Sequence, residues 1–194
     1  MTALPPANPD LVAEFERACA AMRDQHFARL NTLGVGREAY IIAKPLLLPA
    51  PIGMARVEIE GSAYQPAEQG GRGMFVQPVL DSLDELVDVV AWHPDAPGRW
   101  FMRHEAAPIM GADIVEEAAF FGDILVVHPT PLEWLKAGGG GACVLDWDRA
   151  WFWLGCVRDI APLHTWTQRR LENALRSPRP TTRIRKAEAD AEAA

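Results

Sequence analysis

From Asp123 to Arg176 the chain alternates between short β-rich apolar runs and short stretches that carry helix-start signals. Strands alternating with helices of this size restrict the fold sharply, because the strands must pair in parallel and be joined by right-handed crossovers. Ile124–Val127 reads as the first strand. Thr130-Pro131-Leu132-Glu133 then combines an N-cap, proline at the first helical position and glutamate at the third, which predicts a helix over 131–137. Gly138–Gly141 ends that helix and Ala142–Leu145 is the next strand. Asp148 is placed to cap a turn of helix through Trp151–Leu154, Cys156–Ala161 returns as strand, and Leu163–Arg176 follows Pro162 as an amphipathic helix. Residues 123–176 are therefore expected to form a β-α-β-α-β-α unit.

The preceding residues follow other periods. Asn8-Pro9-Asp10 is a helix start, and Leu11, Phe15, Ala18, Met22, His26, Leu30 and Leu33 recur at spacings of three and four up to Gly34. This predicts one long helix over 9–33 with a single apolar stripe. Residues 39–104 read as antiparallel: an apolar run at Tyr40–Leu48, alternation over Arg56–Tyr64, a strand at Met74–Val79, and a hairpin of Val87–Trp92 with Arg99–His104. Ser82-Leu83-Asp84-Glu85 fits a capping box and predicts a short helix between them. Asp113 is expected to cap a helix that Gly122 ends. The whole is an α/β chain of composite, α+β character, a single compact domain over 1–176 with a disordered tail over 177–194.

With 49% apolar and 23% charged residues, the chain can bury a real core. Its net charge of −7 is unevenly spread, since residues 1–168 carry 12 basic and 22 acidic side chains. An acidic body is a poor match for a nucleic-acid backbone. A nucleic-acid contact would have to use the basic segment of Arg169, Arg170, Arg176, Arg179, Arg183, Arg185 and Lys186, which is also a candidate contact for a protein partner. Cys19, Cys143 and Cys156 lack metal-ligand spacing and read as small buried side chains in a reducing compartment. There is no signal-peptide pattern and no run long enough to span a membrane. A soluble, cytoplasmic protein is expected.

The glycines at 138–141 follow a helix and precede a strand, which is the reverse of a phosphate cradle. His128 is better placed, at the carboxyl end of a parallel strand, where ligands of open α/β sheets bind. Asp146 and Asp148 follow the next strand on the same edge. Together these three are the candidate catalytic set of a small enzyme using Mg²⁺ on a phosphorylated or nucleotide-like substrate. The plain alternatives are a structural histidine, a turn and a helix cap, with no catalytic residues, metal or cofactor. Ser62, Ser82 and Ser177 are the only serines, and none lies in a nucleophile elbow. Trp134, Trp147, Trp151 and Trp153 lack the interleaved basic residues of a base-stacking platform and suit a core or a protein interface.

Ile124–Gly138 followed by Ala142–Leu145 resembles the opening of toprim-like domains in phage and plasmid primases. His128 and Pro129 stand where that family carries its catalytic Glu-Gly. Val157-Arg158-Asp159-Ile160-Ala161 corresponds to its Asp-x-Asp strand and retains only Asp159. The resemblance implies a degenerate domain without the family's acid/base and metal ligands. The chain is also similar to proteins of proteobacterial prophages and mobile elements. Expected, then, is a non-catalytic interaction or accessory protein of a phage or mobile-element replication or DNA-processing system, docking through the 10–33 helix or the tryptophan-rich region. Its partner would be another protein or a second copy, with a virion-associated structural protein as a further alternative.

Overall fold

A computed structural model describes residues 9–43, 45 and 48–176. The expectations that rest on Asn8, Arg179, Arg183, Arg185, Lys186 and the 177–194 tail lie outside the described residues.

Helix α1 (Pro9–Ala20) and α2 (Asp24–Thr32) occupy the stretch predicted as one helix, and α3 (Arg37–Ile42) follows. The break lies at Arg23, whose backbone is extended (φ −136°, ψ 164°). Its guanidinium donates to the carbonyls of Ala20 and Met22 at 2.7 and 2.8 Å, and its own N–H donates to His26 Nδ1 at 3.1 Å. The apolar stripe continues through the break because its two halves serve different cores. Leu11, Phe15 and Ala18 enter one cluster and Leu30 another.

Five strands form a closed barrel in the order β1-β2-β5-β4-β3: β1 (Gly53–Glu60), β2 (Ala63–Pro66), β3 (Arg72–Leu80), β4 (Leu86–His93) and β5 (Ala96–Met102). All pairs are antiparallel except β2 with β5, which meet in parallel at Ala63 and Met102. The antiparallel part thus begins at Gly53, not at residue 39, because Tyr40–Ile42 lies in α3. Nor is there a helix at 82–85. Asp81 Oδ1 accepts from the N–H groups of Leu83 and Glu85, both at 2.9 Å, and Asp84 takes φ +61°, so the segment is a tight turn into β4.

Helix α1 plugs one end of the barrel. Leu11 and Phe15 are each 1% exposed inside it, worth about 1.5–3 kcal/mol apiece relative to solvent. A Cβ on Gly53 would come within 2.7 Å of the Ala18 carbonyl carbon, so glycine there lets the helix backbone rest on β1. Glu14 of α1 pairs with Arg103 at 3.1 Å just beyond β5. The stripe expected to be a docking face is thus taken up within the chain, its first half by this plug and Leu30 by the cluster around Phe75 and Trp92.

The second half is a four-stranded sheet in the order β6-β8-β7-β9: β6 (Ile109–Met110), β7 (Ile124–His128), β8 (Ala142–Val144) and β9 (Asp159–Pro162). β7 pairs in parallel with β8 and β9, as the alternation of elements predicts, and β6 adds an antiparallel edge. Helices α4 (Ala112–Phe121), α5 (Pro131–Lys136), α6 (Trp147–Leu154) and α7 (Thr165–Arg176) connect and flank the strands. The crossover through α5 runs from β7 to β8, and that through α6 returns past β7 to β9. Right-handed crossovers running in opposite directions put their helices on opposite faces. Accordingly α4, α6 and α7 share one core with Leu125, Val127 and Val144, while Leu132 and Leu135 of α5 pack with Phe75 and Trp92 of the barrel. β3 and β4 are therefore buried on both faces, with the interior of the barrel on one side and the sheet on the other.

Candidate functional site

The reversal of direction at β7 creates a switch point, where the connections leaving the carboxyl ends of neighbouring parallel strands part and open a crevice. Here it falls between β7 and β9. The crevice is a cleft of about 700 Å³, lined by Pro129, Thr130, Leu132 and Glu133 after β7 and by Leu163, His164 and Trp166 after β9. Pro97 and Gly98, from the start of β5, close its far side, so the barrel supplies one wall.

The polar side chains of this cleft are already engaged. Thr130 Oγ1 accepts the Glu133 N–H at 3.1 Å and caps α5. The Glu133 carboxylate pairs with Lys136 at 2.8 Å. His164 Nδ1 accepts the Trp166 N–H at 3.1 Å, and its carbonyl takes the Gln168 N–H at the start of α7. The apolar side chains are in the opposite condition: Leu163 is 60% exposed and Trp166 40%. Arg170 lies one turn along α7, with its guanidinium carbon 4.9 Å from the Trp166 ring and 5.8 Å from that of Trp147.

None of His128, Asp146 and Asp148 lines this cleft, and Asp146 lines a separate hollow with Ser62, Trp100, Glu105 and Arg149. His128 is buried at the end of β7, and its Nε2 donates to the Gly140 carbonyl at 2.7 Å. Burial moves its pKa below the usual histidine value, against a smaller opposing effect of that bond. Trp134 Nε1 donates to the Gly141 carbonyl at 3.0 Å, so two ring donors pin the glycine turn. Asp146 is the cap of α6: Oδ1 accepts the Asp148 N–H at 2.9 Å and Oδ2 pairs with Arg149. The cap is thus two residues earlier than the predicted Asp148, which is exposed. Asp113 likewise sits in the first turn of α4, whose cap is Gly111 at φ +75°. Asp159 starts β9 and is exposed. Among the described residues no group of three or more His, Cys, Asp or Glu side chains is placed to hold a metal ion.

Arg169, Arg170 and Arg176 are exposed on α7, and Arg176 meets Glu172 at 3.4 Å. Trp134, Trp147, Trp151 and Trp153 are half-buried around the sheet. Cys143 is fully buried, which pushes its thiol far above the usual range, and Cys19 is pushed up to about 11 by burial and by the Glu16 carboxylate. Cys156, expected to be buried, is exposed in the turn after α6. In the sequence Leu163 and Trp166 pass for core positions of an amphipathic helix. The available signal was Pro162, which ends β9 and throws both onto the carboxyl edge.

Barrel, sheet and cleft define the class, an α+β composite in which a small β-barrel forms one wall of a switch-point cleft in a mixed sheet. Compared with known proteins, the chain matches no family model, no curated protein and no solved structure. No helix among the described residues is long and apolar enough to cross a membrane.

Proposed function

We propose that this chain is a non-catalytic interaction protein that takes a short, extended, apolar segment of a partner protein into the cleft between β7 and β9. One contrast supports the reading: Thr130, Glu133 and His164 Nδ1 each meet a partner within the chain, whereas Leu163 and Trp166 are left to solvent. A recognition groove needs unfilled apolar and aromatic surface, and Pro97, Pro129, Leu163 and Trp166 supply it in the manner of grooves that bind proline-bearing segments.

Selection of displayed random peptides on the immobilised full-length chain tests this directly. Sequences carrying proline and large apolar residues are expected to enrich and to change Trp166 fluorescence on binding, a change lost in Trp166→Phe. Failure to enrich any sequence, or enrichment of acidic peptides that leave Trp166 unaffected, would contradict the reading and favour contacts through the basic residues of α7.

A further inference from the structure

Helices α4, α6 and α7 cover the face of the second sheet turned away from the barrel, and α6 lies between the other two. Each buries one row against the sheet, centred on Val115, Ala150 and Leu171. The helical period then fixes the outward rows. Asp113, Glu117 and Phe120 point out from α4, Asp148 and Phe152 from α6, and Arg169 and Arg176 from α7, and all are exposed.

Two features set this layer apart from ordinary surface. The first is aromatic: Phe120 is 82% exposed, Phe121 70% and Phe152 68%. All three helices run from the carboxyl edge of the sheet to its amino edge, so the last turns of α4 and α6 bring these rings to the same end. Burying a phenylalanine removes about 150–250 Å² from water, and groups of large apolar side chains left exposed mark association surfaces. The second feature is a separation of charge. Helix α4 carries Asp113, Glu116 and Glu117 and no base, whereas α7 carries Arg169, Arg170 and Arg176 against Glu172 alone. Acid lies on one side of α6 and base on the other.

We infer that this face pairs with a second copy of the chain about a two-fold axis running along α6. An isologous interface must match its own pattern after rotation. An axis along α6 exchanges the two flanks, so α4 of each copy meets α7 of the other and Phe152 meets its counterpart. An axis across the helices would instead set acid on acid. A nucleic acid would be drawn to α7 and repelled by α4, so a surface with the same divided charge is the fitting occupant. The axis along α6 also brings Asp148 near its own copy, a local like-charge cost. Peptide binding in the cleft is independent of this pairing, because the cleft opens on the barrel side of the sheet.

Sedimentation equilibrium of the full chain tests the pairing, and a monomer–dimer equilibrium is expected between the monomer mass of 21.4 kDa and twice that value. Asp113→Lys/Glu117→Lys makes both flanks basic and Arg169→Glu/Arg176→Glu makes both acidic, so each variant alone should dimerise about tenfold more weakly or worse. An equimolar mixture of the two should dimerise within about threefold of the wild type, because α4 and α7 then meet opposite charge in both contacts. Recovery in the mixture also reports that both variants fold. Phe152→Asp should leave a monomer, Asp148→Asn should tighten the dimer, and Leu83→Asp, at a side chain 76% exposed on the turn before β4, should change it less than twofold. A chain monomeric at every concentration, charge reversals that leave the dimer unchanged, a mixture that recovers nothing, or a dimer loosened by Asp148→Asn would overturn the proposal.

Discussion

Trp92 donates its indole Nε1–H to Gln77 Oε1 across 2.6 Å, and both side chains are wholly excluded from solvent. The pair sits on the outer face of the barrel where α5 packs, and Gln77 Nε2 reaches on to the Pro131 carbonyl at 3.3 Å. One amide thus ties the barrel to the start of α5, the helix whose preceding turn lines the cleft. Gln77→Leu would strand the indole donor and should cost about 1–3 kcal/mol in denaturant unfolding. Gln77→Leu combined with Trp92→Phe should cost less than the sum of the single changes, since the double variant buries no orphan donor.

Asp88 is a second buried organiser. Its Oδ1 accepts from the N–H groups of Val89, Arg103 and His104 at 2.8, 3.1 and 3.0 Å, and its Oδ2 from Ala106 at 2.7 Å. The carboxylate shapes the chain as it leaves the barrel for the sheet. Asp88→Asn sets an amide N–H₂ against the Ala106 or Arg103 donors and should destabilise by about 2 kcal/mol. Proteolysis near residue 105 would show the same loss as faster cleavage.

Glycine is required unequally at two positions of nearly equal φ. Gly122 (φ +76°) ends α4 in open space, so Gly122→Ala should cost only the left-handed conformation, about 1–2 kcal/mol. Gly111 (φ +75°) backs onto the carbonyl of Gly141, and a Cβ there would collide with it. Gly111→Ala should cost at least twice as much in thermal or urea unfolding.

Acid should weaken the fold through His128. Burial lowers its folded pKa below the unfolded value of about 6.5. The unfolded chain therefore binds the extra proton first as pH falls, and stability present above that value is lost as pH drops through the folded pKa. His128→Gln can still donate to the Gly140 carbonyl but does not titrate. Unfolding measured between pH 7.5 and 5 should show a shallower loss in the variant than in the wild type, and equal slopes would remove His128 as the cause.

Where local period and tertiary environment agree, the fold could be read in advance. The helix at 131–136, its Thr130 cap, the parallel pairing of β7 and the Trp92–Trp100 hairpin pair all follow from local signals. The break at Arg23 did not show, because the stripe keeps its spacing while its halves feed separate cores. Barrel closure was equally hidden, since it rests on a single parallel contact between Ala63 and Met102, distant in sequence. A cleft does open at the carboxyl edge, where His128 and Asp146 make contacts within the fold. Exposure of Leu163 follows from the order of strands in space, which sequence periodicity does not carry.

Two equally apolar surface residues separate the proposed function from general stickiness. Leu163 is 60% exposed and lines the cleft, whereas Phe152 is 68% exposed on α6 and does not. Affinities of one selected peptide for wild type, Leu163→Asp and Phe152→Asp, measured by fluorescence anisotropy, are the most direct test. Leu163→Asp should weaken binding at least tenfold and Phe152→Asp less than twofold, with both variants folded. Equal affinities for all three proteins, or a loss confined to Phe152→Asp, would contradict the cleft as the site of partner binding.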